Sequence, residues 1–376
     1  MRIVHLTSSR FYGGPERQMI GLARHLPPSC RTFFLSFSEG GRCGEFLKHV
    51  RWNGFEGEAL RHDTPNLPAA GWELLRRLHR LEADVLLCHG YKANLLGRIA
   101  ARSLGIPVVA VARGWTGEDW KVRLYEALDR IQLRYMDRIV CVSHSQAKRV
   151  KRAGVPPAKI IVIPNAVSLE TRDQNDPEGR EQLASLVEHP VEWLVVSAGR
   201  LSREKGFAVL IEAARRVINQ LPGARFIIFG EGVQRPALER QIAQAALSHV
   251  VALPGHRSDW SRLLPHADLF VLPSFTEGLP NVILEAHRAA VPVVATAVGG
   301  TPEVIRDGVT GRLVPPNDPD ALAERIVELL RNESLRRKMG EAGQAEVKAH
   351  HCFSTQARRY ERLFEDLLAG RSREAA

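Results

Sequence analysis

The sequence predicts an α/β chain of two doubly wound parallel-sheet domains facing a central cleft. Three observations predict it. At 376 residues the chain is too long for one ordinary core and suits two domains of about 150 residues each. Short β-rich apolar runs alternate with longer amphipathic stretches, the pattern of parallel strands joined by crossover helices. That alternation breaks once, at the polar, proline-punctuated segment ETRDQNDPEGREQLASLVEHPVE (residues 170–192), which predicts a linker with one helix at most.

In the first half the predicted strands are Ile3–Leu6, Thr32–Phe37, Val85–Cys88, Val108–Ala112, Ile139–Val142 and Ile160–Ile163. Helical patterns lie between them, among them ERQMIGLARHL, WELLRRLHRL and NLLGRIAARSLG. The last of these stops at Gly105 with Pro107 beyond, a standard helix exit. After the linker come Leu194–Ala198, Arg225–Phe229, Val250–Leu253, Leu269–Leu272, Val293–Ala295 and Leu313–Val314. The helix DPDALAERIVELLRN follows, with Asp318 as its N-cap, and the amphipathic stretch FSTQARRYERLFEDLLAG ends the pattern. The predicted boundaries are residues 1–168, a linker at 169–192, and a second domain at 193–352, followed by the helix at 353–376. Ligands of such folds bind at the carboxyl ends of the strands, here expected in the cleft.

Composition narrows the class. With 44% hydrophobic and 25% charged residues, the chain has the make-up of a globular protein. No apolar run approaches the roughly 20 residues of a membrane span. The opening MRIVHLTSSRFYGG has a single basic residue ahead of a very short apolar stretch, which is not the build of a signal peptide. The five cysteines (Cys30, Cys43, Cys88, Cys141, Cys352) are odd in number and scattered singly, so neither a disulfide framework nor a Cx2C metal site is expected. A cytoplasmic setting is the expectation. Residues 1–180 hold 28 of the 52 Lys+Arg and 18 of the 42 Asp+Glu, so the first half carries the whole net charge of +10. Such asymmetry can report a partner.

Four junctions suit a phosphorylated ligand. Gly13-Gly14 lies between the first strand and a helix, where backbone N–H groups can meet an anion; the spacing is not GxGxxG, and a plain turn is the competing reading. Strand WLVVSA runs into GRLSREKG, whose Arg200 and Lys205 can clamp a diphosphate as fork and point charge, unless Glu204 simply pairs them locally. Strand LFVLPS runs into FTEGLPNVILE, a helix start near Pro280. There the N–H groups after Gly278, at Leu279, Asn281 and Val282, suit phosphate oxygens. Glu277 precedes that start and Glu285 lies a turn inside it, both able to accept from sugar hydroxyls. The fourth junction, GGTPE, reads as a capped helix start, with Thr301 as N-cap and Pro302 at the first helical position.

Taken together, GGPER, IPNAV, GRLSREKG, FGEG, LPSFTEGLPNVILEA, VGGTPEVI and DGVTGRLVPPNDPDALA resemble glycosyltransferase family 4, retaining enzymes built from two Rossmann-like domains (the GT-B fold). The resemblance runs over nearly the whole chain. It implies that Arg200 and Lys205 hold the donor diphosphate, that Glu277 contacts the transferred sugar and that Glu285 meets the nucleotide ribose. His256 and Arg257 would lie beside the base, and the Gly14 amide would close over the phosphates from the opposite domain. The final helix would cross back onto the N-terminal domain. Where many members carry a histidine lining the sugar site, this chain has Arg113, in ARGWTGED. Arg113 and His89, at the end of the preceding strand, are both candidates for that role, and a local salt bridge of Arg113 with Glu118 or Asp119 is the competing reading.

No DxD stands at a strand end, so Arg200, Lys205 and a helix dipole are expected to neutralise the departing diphosphate without a metal cofactor. The resemblance further implies that this phosphate takes the acceptor proton, with retention at the anomeric carbon. The predicted activity is transfer of a hexose from a UDP- or GDP-sugar to a glycan or lipid-linked acceptor in cell-surface polysaccharide synthesis. The alternatives are a non-catalytic nucleotide-sugar-binding scaffold and a nucleotide-sugar epimerase. The basic half suggests an anionic membrane surface as a further partner, and no nucleic acid. Arg76, Arg77 and Arg80 crowd one helix. The stretch DWKVRLYEALDRIQLRYMDR mixes Lys121, Arg123, Arg130, Arg134 and Arg138 with Trp120, Leu124, Tyr125, Leu128 and Ile131. The competing reading puts that apolar face against the sheet.

Overall fold

A computed structural model describes residues 1–115, 120–170, 176, 178–188 and 190–374. The chain divides into two compact units, one formed by Met1–Ala166 with Phe353–Ala376, the other by Val167–Cys352. Each is a parallel sheet wrapped by helices on both faces.

In the first unit the order along the chain is β1 (Arg2–Thr7), α1 (Gly14–His25), β2 (Arg31–Phe37), α2 (Gly44–Trp52), β3 (Glu56–Leu60), α3 (Leu67–Arg80), β4 (Val85–His89) and α4 (Tyr91–Leu104). Then come β5 (Val108–Ala112), α5 (Trp120–Leu133), β6 (Arg138–Cys141), α6 (His144–Arg152) and β7 (Ile160–Val162). The sheet order is β3-β2-β1-β4-β5-β6-β7. Strand β1 lies between β2 and β4, the two strands that lead away in opposite directions, so its carboxyl end marks the point where strand order reverses.

The second unit contains α7 (Gly179–Ala184), β8 (Trp193–Ala198), α8 (Phe207–Ile218), β9 (Ala224–Phe229), α9 (Arg235–Gln244), β10 (Val251–Gly255), α10 (Trp260–Leu263) and β11 (Leu269–Leu272). It continues with α11 (Asn281–Arg288), β12 (Val293–Thr296), β13 (Gly311–Val314), α12 (Pro319–Arg331) and α13 (Glu333–His350). Its strands run β10-β9-β8-β11-β12-β13, again reversing next to the first strand of the unit. The last helix, α14 (Phe353–Glu374), belongs to the first unit, where Tyr360, Leu363, Phe364 and Leu367 share a core with Ile3, Leu22, Val85, Leu87 and Val109.

Most strands and the main helices stand where the apolar runs place them, and Asp318 caps α12 by accepting from the Ala321 N–H at 2.9 Å. All five cysteines are free and buried. No described helix is long and apolar enough to cross a membrane. Strand β3 (EGEAL) is an addition. It is an edge strand with one fully buried residue, Leu60, and so carries almost no apolar signal. The junction GGTPE departs from expectation too. It forms a single 3-10 turn, Thr301–Glu303, with Gly300 at the N-cap; Thr301 is fully buried and its hydroxyl caps no N–H among the described residues.

Phe364 is fully buried at the centre of the α14 contact. Phe364→Ala is therefore expected to destabilise the first unit by about 3–5 kcal/mol. Urea unfolding followed by fluorescence reads this, and a midpoint equal to that of the wild type would contradict the assignment of α14 to that core.

Candidate functional site

In the second unit every strand ends at the same edge, so the loops after β8, β9, β10, β11 and β12 gather there. The loop after β8 (residues 199–206) and the loop after β11 (residues 273–280) are joined by main chain: the Phe275 N–H donates to the Glu204 carbonyl at 2.8 Å. Gly206 takes φ +66°, a left-handed conformation, and a Cβ there would stand 2.1 Å from the Pro273 carbonyl oxygen. From the other side Gly299, at φ +55°, lies so close that a Cβ would meet the Glu277 carbonyl oxygen at 1.8 Å. Only glycine fits at these two positions, and together they grip the segment that carries Glu277.

This contact brings together residues 72 positions apart. Lys205 Nζ donates to Glu277 Oε1 at 2.6 Å, and the same oxygen accepts from Ser274 Oγ at 2.7 Å. The Glu277 side chain is nearly buried and that of Lys205 one-fifth exposed. Arg200 Nη2 donates to Glu204 Oε1 at 2.6 Å, as the local-pairing reading expected, and Ser202 Oγ donates to the same atom at 2.6 Å. Burial alone would raise the Glu204 carboxyl, but the hydrogen bonds from Ser202 and Arg200 hold it below its usual range. Half of the Arg200 side chain remains exposed.

Helix α11 starts at Asn281, with Pro280 in the N-cap position, so the positive end of its dipole lies directly after the Glu277 loop. Gly278 and Leu279 form the approach to it, Leu279 buried, and Glu285 sits one turn inside, also buried. His256 is exposed after β10. Arg257 beside it is held by Asp259 through two contacts, Nε–Oδ1 at 2.9 Å and Nη2–Oδ2 at 2.7 Å. That pairing raises the guanidinium pKa and lowers the Asp259 carboxyl. Ser274, Ser202 and Asp259 were not singled out in the sequence. Their roles depend on side chains meeting across loops, which linear spacing does not show.

The first unit has its own cluster at the same kind of edge. Gly13 caps α1, its N–H donating to Glu16 Oε2 at 3.0 Å, and Gly14 is the first helical residue. His89 ends β4 and Arg113 directly follows β5, the neighbouring strand. Arg113 Nη2 donates to His89 Nδ1 at 3.0 Å, and His89 Nε2 lies 3.0 Å from Nδ1 of His5, a residue of β1. The two candidates for one role are therefore hydrogen-bonded to each other. Burial, with Arg113 nearby, pushes the His5 pKa down to about 3, and burial, Arg113 and His5 hold His89 well below the imidazole range. Both rings are neutral at physiological pH. Glu118 and Asp119, the alternative partners of Arg113, lie outside the described residues. His5 was missed because a histidine inside IVHLT looks like one polar interruption of a core strand.

The profile described as Glycosyl transferases group 1 matches residues 180–346, and that described as Glycosyltransferase Family 4 matches residues 12–171. The chain is 31% identical over 274 residues to the UDP-Gal:alpha-D-GlcNAc-diphosphoundecaprenol alpha-1,3-galactosyltransferase of Escherichia coli, covering 70% of each. It is 34% identical over 210 residues to the lipopolysaccharide core biosynthesis glycosyltransferase LpsE of Rhizobium meliloti, covering 56% of this chain and 58% of that relative's length. Among solved structures, Anabaena HepE in complex with UDP-glucose matches with a TM-score of 0.85 at 23% identity, covering 98% of this chain and 100% of that one. That likeness concerns fold, two Rossmann-like domains of the GT-B kind. The chain belongs to glycosyltransferase family 4.

Proposed function

We propose that this glycosyltransferase moves a hexose from a UDP-sugar, with retention, to a lipid-linked glycan acceptor in cell-surface polysaccharide synthesis. One observation carries the donor reading: Lys205 and Glu277, joined at 2.6 Å, stand at the start of α11 with Arg200 on the same loop. Arg200 and Lys205 supply two positive charges to a diphosphate, and the α11 dipole supplies a third, partial one. Glu277 then serves the sugar hydroxyls and Glu285 the ribose, with His256 and Arg257 beside the base; the Gly13 N–H is taken up by Glu16 and does not serve a phosphate. With that much positive potential in place, the leaving diphosphate is stabilised without a divalent ion, and turnover is expected to survive EDTA. In the transfer step the acceptor oxygen bonds to the anomeric carbon as the bond to the β-phosphate oxygen breaks. That phosphate oxygen takes the acceptor proton. Uridine is favoured because the Escherichia coli relative is named for UDP-Gal and HepE binds UDP-glucose.

Glu277→Gln is expected to lower kcat by about 10- to 150-fold, the loss of one charge-assisted contact in the transition state, while leaving UDP affinity within a few-fold. Glu285→Gln should instead weaken UDP binding. Calorimetry with UDP and steady-state kinetics together read the split; equal effects of both variants on UDP binding, with turnover intact, would refute the assignments.

The acceptor reading rests on the first unit. The relative in Escherichia coli is named for a diphosphoundecaprenol-linked acceptor, and here the basic half carries an exposed apolar helix face. On α5, Leu124, Leu128 and Ile131 follow one face at 42–59% exposure together with Tyr125 and with Tyr135 just beyond the helix. The exposure of Leu124, Leu128 and Ile131, with Leu133 and Met136 filling the core, supports this reading over one in which that face packs on the sheet. Arg123, Arg130 and Arg134 are exposed around that face. The side chains of Trp120 and Lys121 lie outside the described residues. Arg77 and Arg80, by contrast, both bond to Glu58, so that cluster is partly neutralised.

An apolar stripe rimmed by arginines fits the surface of an anionic bilayer, each nearby cation adding about 1 kcal/mol. Vesicles containing phosphatidylglycerol should bind the protein at low salt and release it near 1 M, where the Debye length falls to about 3 Å. Leu128→Glu should weaken binding at every salt concentration. No binding at low salt, or full binding by Leu128→Glu, would contradict the proposal.

A further inference from the structure

The arginine that follows β5 has an unusual setting. Its guanidinium is half-buried, and among the described residues its hydrogen-bond partner is an imidazole rather than a carboxylate. A guanidinium can only donate, so His89 Nδ1 must be an acceptor and the His89 proton must sit on Nε2. His89 Nε2–H therefore donates to His5 Nδ1, which places the His5 proton on its own Nε2. That atom is fully buried with no hydrogen-bond partner among the described residues. The chain thus runs in one direction only, from Arg113 inward, and ends on an unsatisfied N–H.

The chain holds Arg113 in place without neutralising it. Both rings are kept uncharged by burial, so neither repels the guanidinium nor cancels it. Among the described residues, the other ionisable groups facing Arg113 are Glu16 on α1 and Tyr360 on α14. Oxygen Oε2 of Glu16 accepts from the Gly13 N–H, and burial raises the Tyr360 hydroxyl pKa, which keeps it neutral. A histidine here would be a cation only part of the time; arginine is one at every working pH.

We infer that Arg113, oriented by the His89–His5 pair, is a seat for an oxyanion of the substrate, a sugar carboxylate or a phosphate. The geometry that carries it is a fixed fork at a strand end, with its back on a neutral, directional hydrogen-bond chain. His5 and His89 are then positioning residues. The inference rests on the glycosyltransferase reading above and names the charge its substrate carries.

Dissociation constants for two matched pairs test it. One pair is UDP-glucuronate against UDP-glucose. The other is a short polyprenyl diphosphate-linked sugar against the corresponding neutral prenyl glycoside. The wild type is expected to bind the charged member at least tenfold more tightly in one pair, and which pair identifies the source of the anion. Arg113→Gln should abolish that ratio while leaving UDP affinity unchanged. His5→Leu should reduce the ratio several-fold, because the chain behind His89 is broken, again without effect on UDP. The wild-type ratio should stay level from pH 5.5 to 8.5 once the charge of the ligand is allowed for. In Arg113→His it should fall as pH rises through about 6.5, where imidazole loses its proton. No preference in either pair, or equal losses on charged and neutral members in Arg113→Gln, would overturn the inference. Failure of the wild type to bind UDP would instead overturn the donor reading, and the acceptor pair would still report on Arg113.

Discussion

The contact on which the second unit's site depends is between main chains. The segment from Pro273 to Pro280 carries Glu277, leads into α11, and is held between two neighbouring loops at distances that leave no room for a Cβ. Gly206 closes against its start and Gly299 against its middle, and the Phe275–Glu204 hydrogen bond ties the first of these together. The Lys205–Glu277 pair and the placement of α11 follow from this grip. Lys205 reaches Glu277 because Gly206, its neighbour, lies against Pro273; α11 points its amino end at the same place because Pro280 directly follows the gripped loop. Parallel strands bring the loops to one edge, and the glycines decide how near they come.

Electrostatics completes the arrangement. Each cation proposed for the diphosphate has a carboxylate close by, Glu204 for Arg200 and Glu277 for Lys205. These pairs keep the positive groups ordered at little cost, since charges drawn from water unpaired would be expensive. A diphosphate bound there, as proposed, would bring two or more negative charges to the edge and leave Glu277 to turn its acceptor capacity toward hydroxyl groups. The first unit solves a related problem differently. Among the described residues Arg113 is ordered by a neutral imidazole pair, which fixes its direction without adding an opposite charge.

Much of this was legible in the sequence. Apolar runs such as Val108–Ala112 and Leu269–Leu272 mark strands that appear in the structure with those bounds, because a strand covered on both faces must be continuously hydrophobic. Order and spacing of GRLSREKG and LPSFTEGLPNVILEA marked the loops that the structure joins. Glycine was the residue read least well. In the sequence Gly206 merely closes GRLSREKG and Gly299 opens the GGTPE helix start, whereas their place is set by a carbonyl 67 and 22 positions away. Likewise Arg257–Asp259 and the His5–His89–Arg113 chain depend on rotamers and on strand order, neither of which periodicity encodes. β3 escaped because an edge strand needs little apolar surface.

On the proposed reading, main-chain closeness at Gly206 and Gly299 creates the nucleotide-diphosphate site. Calorimetric titration of UDP into Gly206→Ala and Gly299→Ala tests it most directly, with circular dichroism establishing that each variant is folded. The account predicts that both bind UDP at least about tenfold more weakly than the wild type, about 1.4 kcal/mol, although neither glycine bears a side chain. Folded variants that bind UDP with wild-type affinity would contradict it.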